Sequence, residues 1–163
     1  MIIGLLSDTH GNVRRTETAL SLLKNAGAQH ILHCGDIGSE EIINLLFETR
    51  ETGTPVTLVH GNVDQWDPGL HLYAKQLGLS LPRIAKGTFD TFSYGMTHGH
   101  DPQAINELLE ENLDFIFTGH THVPCDETHG STRMINPGAV HRAQTPMVSV
   151  LETRTGALKR LPL

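Results

Sequence analysis

Short apolar runs punctuate the chain, and most of them stop at a cluster of small and metal-competent residues. Ile2 to Leu6 ends at Ser7-Asp8-Thr9-His10-Gly11, His30 to His33 at Cys34-Gly35-Asp36, and Pro55 to Val59 at His60-Gly61-Asn62-Val63-Asp64. Further on, Phe89 to Thr97 runs into His98-Gly99-His100, and Asp114 to Thr118 into Gly119-His120-Thr121-His122. Runs this short and this apolar read as buried strands. In an open α/β sheet, ligands bind beyond the carboxyl ends of the strands. Five runs that all stop at polar clusters therefore constrain the fold to a sheet whose strand ends share one working edge.

The segments between the early runs carry helical patterns. Asn12 is a natural cap for a helix reaching about Ala26, with Leu20, Leu22 and Leu23 on its buried side and Gly27 beyond its end. Ser39 caps a second helix, whose first turn holds Glu40 and Glu41 against the helix dipole and whose stripe is Ile42, Ile43, Leu45 and Leu46. Two such βαβ units imply parallel strands with right-handed crossovers. The stretch from Asp64 to about Lys86 shows no clear period, and Lys86-Gly87-Thr88 reads as a hairpin turn leading into Phe89 to Thr97. Asp101-Pro102 starts another helix, with Ile105, Leu108 and Leu109 inward. From Val123 to Leu161 the pattern is of short strands with turns at Gly130-Ser131 and Thr155-Gly156. The expected architecture is α/β, one layered domain over residues 1–163, with sheet at the centre and helices outside.

Composition narrows the function classes. The 163 residues are 38% hydrophobic and 18% charged, with a formal charge of −6, so no general polyanion-binding surface is expected and a long nucleic-acid polymer is disfavoured as partner. No apolar stretch approaches a membrane span, and the N-terminal run meets Ser7-Asp8 too early for a signal peptide. Cys34 and Cys125 form no CxxC motif and read as free thiols in a reducing, cytoplasmic setting. Eleven histidines against twelve lysines and arginines point to metal or proton chemistry.

In extended backbone, residues i and i+2 point the same way, so Asp8 with His10 and His120 with His122 can each reach a common point. Any one of these clusters alone is a common turn or cap. Together, in order, at five strand ends, they supply carboxylates, an amide and imidazoles without thiolate, the donor set of hard or borderline divalent ions.

The order D-x-H, G-D, G-N-x-D, H-x-H, G-H-T-H resembles the calcineurin-like metallophosphoesterases over nearly the whole chain. With Asp8-Thr9-His10-Gly11-Asn12 at the start and Asn136-Pro137-Gly138 near the end, it is most similar to their YfcE-type branch. The resemblance implies a layered sandwich of mixed β-sheets flanked by helices, the calcineurin-like phosphoesterase fold. It implies two divalent ions: Asp8, His10, Asp36 and His122 would hold one, Asp36, Asn62, His98 and His120 the other, with Asp36 bridging. His98 and His100 could exchange roles. Manganese is the first expectation, with nickel, iron, cobalt or zinc as alternatives. The implied activity is hydrolysis of small phosphodiesters by a metal-bound hydroxide, with Asp36, Asn62 and His100 in the catalytic set and Asn12 and His100 contacting substrate. Asn12 is also the helix cap, and Asp64 either orients a ligand or only forms a turn. Val63 stands where many members of the superfamily have a histidine that assists the leaving group, a histidine that the YfcE-type branch also lacks. Trp66 and Tyr73 could line the substrate pocket or a subunit contact, packing being the simpler reading. The alternative is a non-catalytic scaffold of the same fold, like the retromer subunit, although that protein lacks part of the histidine set retained here. A homo-oligomer is compatible with the sequence without being required by it.

Overall fold

The computed structural model describes residues 1–163. In chain order its elements are β1 (Ile2–Leu6), α1 (Val13–Asn25), β2 (His30–His33), α2 (Glu40–Glu51), β3 (Val56–Leu58), α3 (Pro68–Gln76), β4 (Ile84–Phe89), β5 (Phe92–Thr97), α4 (Pro102–Glu110), β6 (Phe115–Phe117), β7 (Cys125–His129), β8 (Thr132–Asn136), β9 (Met147–Glu152) and β10 (Ala157–Pro162). They form two five-stranded sheets, ordered β10-β9-β1-β2-β3 and β4-β5-β6-β8-β7. β1, β2 and β3 are parallel, as two βαβ units require, and β9 and β10 add to the sheet antiparallel. In the second sheet β5, β6 and β8 are parallel, with β4 and β7 antiparallel at the edges.

Side-chain alternation along each strand separates two cores. Ile3, Leu5, Leu32 and Cys34 face the second sheet and pack among Met96, Phe117 and Ile135. Leu6 and Ile31 face the other way, against Leu20 and Leu23 of α1, Ile42, Ile43 and Leu46 of α2, and Leu70 and Ala74 of α3. Gly4 admits this closeness: a Cβ there would lie 3.1 Å from Ala28 Cβ and 3.2 Å from Leu23 Cδ1. α4 covers the second sheet through Leu108, which lies against Gly95 of β5. Each fully buried Leu or Ile contributes about 1.5–3 kcal/mol. The result is the expected α/β layering, mixed sheets face to face with helices outside.

Two expectations need correction. The hairpin turn is Asp90-Thr91, with Asp90 at φ 53°, and Lys86-Gly87-Thr88 lies inside β4. Gly87 is small because Tyr94 lies over it, a Cβ there being 2.8 Å from Tyr94 Cε1; glycine in a strand marks a close approach as readily as a turn. The stretch without a clear period contains α3, opened by Asp67, which accepts a hydrogen bond from Leu70 N, and by Pro68 in the first turn. That is the Asp-Pro signal that starts α4 at Asp101-Pro102. No helix is long and apolar enough to cross a membrane.

Candidate metal centre

The carboxyl ends of β1, β2, β3, β5 and β6 open on one edge, and the loops leaving them interlock. Asp8 N donates to Gly35 O (3.0 Å), His10 N to Asp36 O (2.9 Å), and Gly119 N to His98 O (2.8 Å). Of the eight non-glycine residues with positive φ, five belong to the ligand set expected from the sequence: Asp8 (57°), His10 (46°), Asp36 (55°), His120 (68°) and His122 (58°). Each such conformation costs about 1–3 kcal/mol and persists only where the surroundings enforce it. Strain gathered where the strand ends of the two sheets meet, rather than at the edge of a single sheet, marks a working site.

Asp8, His10, Asp36 and His122 bring one ligand atom each to within 4.8 Å of one another. Asp36 faces both ways: Oδ2 lies 3.7 Å from His10 Nε2, and Oδ1 lies 3.3 Å from His98 Nε2 while accepting a hydrogen bond from Val63 N. The rings of His98 and His120 are 5.2 Å apart. Asp8 Oδ2 accepts from the backbone of His120 (3.2 Å). Asp8 Oδ1, Asn62 Oδ1 and His98 Nε2 are all buried without a hydrogen-bond partner.

The imidazoles are oriented from behind. His98 Nδ1 donates to Cys34 O (2.7 Å) and His122 Nδ1 to Arg142 O (3.1 Å). In the neutral ring this leaves Nε2 as a bare lone pair. For His122 that lone pair faces Asp8 Oδ1 at 3.1 Å, and for His98 it faces Asp36 Oδ1. Two acceptors face each other only where a cation or a proton lies between them. At His98 burial lowers the pKa, but the close approach of Asp36 and the charges of Asp36 and Asp8 outweigh that and hold it above the ordinary value. Burial also raises Asp36, yet the adjacent His98 imidazole, the Val63 N–H and His10 together bring it down to about 2. Burial dominates at Asp8 and raises its pKa. Two adjoining buried carboxylates with unsatisfied donor atoms around them fit divalent cations.

Surrounding residues hold the loops. Asp64 is fully buried and accepts from Gly61 N (2.8 Å), Ile37 N (3.0 Å) and Gly38 N (2.9 Å), joining the Asp36 loop to the Asn62 loop. It therefore does more than form a turn. Asn136 Nδ2 donates to Gly119 O (2.7 Å) and fixes the His120–His122 loop. His33 accepts from Gly35 N at Nδ1 (3.2 Å), so Nε2 carries the proton and donates to Thr9 Oγ1 (3.0 Å). Asn12 Oδ1 caps α1 at Arg15 N (3.1 Å) and its Nδ2 lies 3.3 Å from His141 Nδ1, so its side chain is already engaged at both ends. His100 lies beside the pair, its ring 5.4 Å from that of His98, with Nε2 3.4 Å from Gln65 Oε1 and Nδ1 unpartnered. Sequence reasoning had no signal for the carbonyls of Cys34 and Arg142. It assigned His141 no role, although His141 N donates to Asp8 O (3.0 Å) and the Arg15 guanidinium lies 3.3 Å from the ring. Cys34 is buried, which pushes its thiol up and leaves it inert.

His33 gives the metal-free protein a pH signature. Complete burial lowers its pKa from 6.5 to about 3, so the folded state excludes a proton that the unfolded state takes up. Stability should fall as pH drops from about 6.5 towards 3, by about 1.4 kcal/mol per unit from this group. In urea unfolding of the metal-free protein at pH 7, 6, 5 and 4, His33→Gln should show a shallower decline than the parent. Parallel declines would remove His33 as the cause.

Comparison with known proteins places this edge in context. The model of the calcineurin-like phosphoesterase superfamily domain matches residues 1–156. A probable metallophosphoesterase of Methanothermobacter thermautotrophicus is 32% identical over 160 residues, covering 93% of this chain and 85% of that protein. The phosphodiesterase YfcE of Escherichia coli is 30% identical over 149 residues, covering 82% and 76%. Among solved structures, an archaeal phosphodiesterase superposes with a TM-score of 0.85 at 24% identity over 100% of both chains. Vps29 of Entamoeba histolytica, solved with zinc, shares the fold at a TM-score of 0.67 and 19% identity, over 100% of this chain and 98% of that one. The chain therefore belongs to the calcineurin-like phosphoesterase superfamily, among the metal-dependent phosphoesterases of its YfcE-type branch.

Proposed function

We propose that the chain hydrolyses small phosphodiesters using two divalent ions, one held by Asp8, His10, Asp36 and His122 and the other by Asp36, Asn62, His98 and His120. The observation that carries this reading is the set of buried donor atoms left without partners, Asp8 Oδ1, Asn62 Oδ1 and His98 Nε2, around an Asp36 whose two oxygens serve both halves. When bound, two such ions would lower the pKa of a shared water and neutralise charge on the phosphoryl oxygens. Two carboxylates against two divalent ions leave a net positive site, suited to an anionic ester. Cys34 O and Arg142 O hold the imidazoles in register, support that metal ligands generally need. His100, with Nδ1 free, is placed to hold a phosphoryl oxygen or to move a proton to the departing oxygen, a task Val63 cannot perform. Manganese is the first ion to test. Two free thiols are consistent with a cytoplasmic location.

Metal-stripped protein reloaded with manganese, nickel or zinc should hydrolyse bis(p-nitrophenyl) phosphate faster than p-nitrophenyl phosphate. A monoester preference would overturn the diester assignment, and full activity without metal would overturn the reading as a whole. The shared fold of Vps29 keeps a second reading, a scaffold that binds metal without turnover. It would be favoured if two ions bound and neither ester was cleaved.

A further inference from the structure

The chain has one tryptophan, Trp66, and it is the most exposed of the large apolar side chains, at 84%. It is not a packing residue, unlike Tyr73, whose hydroxyl donates to Asn44 Oδ1 (2.7 Å). Trp66 sits four residues beyond Asn62 on a loop that is tied down on both sides. Gln65 N donates to Gly61 O (3.0 Å) and Asp67 N to Asp64 O (3.0 Å), while the Asp64 carboxylate holds Gly61 N and Asp67 caps α3. An indole displayed on a fixed loop can bind a planar partner with little loss of entropy on its own side.

A cleft of about 530 Å³ lies against this indole, lined by Gln65, Trp66, Pro68 and His71. It adjoins the metal centre through two routes. Gln65 Oε1 lies 3.4 Å from His100 Nε2, and the ring of His60 is 5.7 Å from that of His71 and 6.3 Å from that of His100. His71 Nε2, in the cleft lining, and His100 Nδ1, between the cleft and the metal centre, are shielded from solvent and have no hydrogen-bond partner. A flat apolar face, an amide and imidazoles beside a phosphate-ester centre suit a planar ring with polar edges on one ester arm.

We propose that Trp66, with Gln65 and His71, forms a stacking subsite that selects phosphate esters carrying a nucleobase-like aromatic group. This deepens the phosphodiesterase reading and rests on it, since the phosphate must anchor at the metal centre for the ring to reach the cleft. Trp66 acts as a specificity-determining residue, and stacking on one aromatic side chain is a sequence-tolerant interaction open to any base.

The test compares adenosine 5′-monophosphate with ribose 5-phosphate, which differ only by the base, on zinc-loaded protein. Calorimetry should give the adenosine compound about 5- to 150-fold tighter binding, and it alone should quench the single tryptophan's emission. In Trp66→Leu, whose altered side chain is on the surface, the two affinities should come within about twofold of each other, the ribose 5-phosphate value staying near that of the parent. Binding of ribose 5-phosphate with no increment from adenine would overturn the subsite and leave the metal-centre reading intact. Binding of neither compound would mean that the phosphate is not anchored at the metal centre, on which the subsite depends, and would overturn the proposal. A dimer in sedimentation that Trp66→Leu abolishes would assign the indole to a second copy of the chain and overturn the proposal.

Discussion

An Asp36→Asn protein should fold and fail to work. Asn keeps the shape of the side chain and the acceptor for Val63 N–H, but it removes the negative charge that both halves of the donor set share. Asp36 is the only residue whose two oxygens address His10 on one side and His98 on the other. Losing it should weaken both ions together and remove the larger of the two carboxylate charges that hold the His98 pKa up, leaving that of Asp8. The expected loss of metal-dependent turnover is at least about 10²–10³-fold, the scale seen when one transition-state contact is removed from a preorganised site. Binding to the native state stabilises by mass action, so the parent's melting temperature should rise with added metal and the variant's should hardly move. A variant retaining a tenth of parental activity at saturating metal would show that Asp36 does not bridge.

Gly61→Ala should be nearly as damaging, for a reason that lies in packing alone. Gly61 has no unusual φ, so backbone strain is not the issue. A Cβ at this position would overlap Asp36 Oδ1 and N and stand 2.8 Å from its Cγ. Nothing there is the free end of a flexible chain, so either the Asp36 loop or the Asn62 loop must shift. Overpacking of this kind costs about 1–3 kcal/mol, and displaced support for metal ligands costs about 10–100-fold in affinity or activity. Gly53→Ala is the comparison: its Cβ would meet nothing within 4 Å, and only its φ of 98° is strained. Thermal unfolding and zinc titration of the two variants should therefore separate. Gly53→Ala should lose some stability with zinc affinity retained, while Gly61→Ala loses both. Parental zinc affinity in Gly61→Ala would mean the two loops are not locked together as described.

The fold was legible where side-chain period and caps agree. The span of β1, the Asn12 cap, the Ser39 start and the Asp101-Pro102 start all stand where the residues place them. Ser39 shows the limit of that logic, because its hydroxyl caps nothing and the helix start rests on Glu40 and Glu41 in the first turn. α3 was missed although Asp67-Pro68 repeats the signal used at Asp101-Pro102, because only Leu70 and Ala74 of that helix are buried and its stripe is faint. Gly87 was misread because a glycine gives no sign whether it turns the chain or makes room for a neighbour. At the candidate site the side-chain donors were visible as motifs, since chemistry restricts which residue types can serve. What holds them was not: backbone carbonyls of Cys34 and Arg142 have no sequence signature, and an Asp in a Gly-Asn-x-Asp turn does not announce that its carboxylate accepts from three N–H groups on two loops.

If these donors form two linked cation sites, the number of ions bound per chain should show it. Zinc bound per chain should be measured by elemental analysis after equilibrium dialysis, for the parent and for His98→Ala, His10→Ala and Asp36→Asn. The parent should bind two ions and each single variant fewer, with Asp36→Asn lowest. One ion in the parent, with the count unchanged by His98→Ala, would contradict two linked sites.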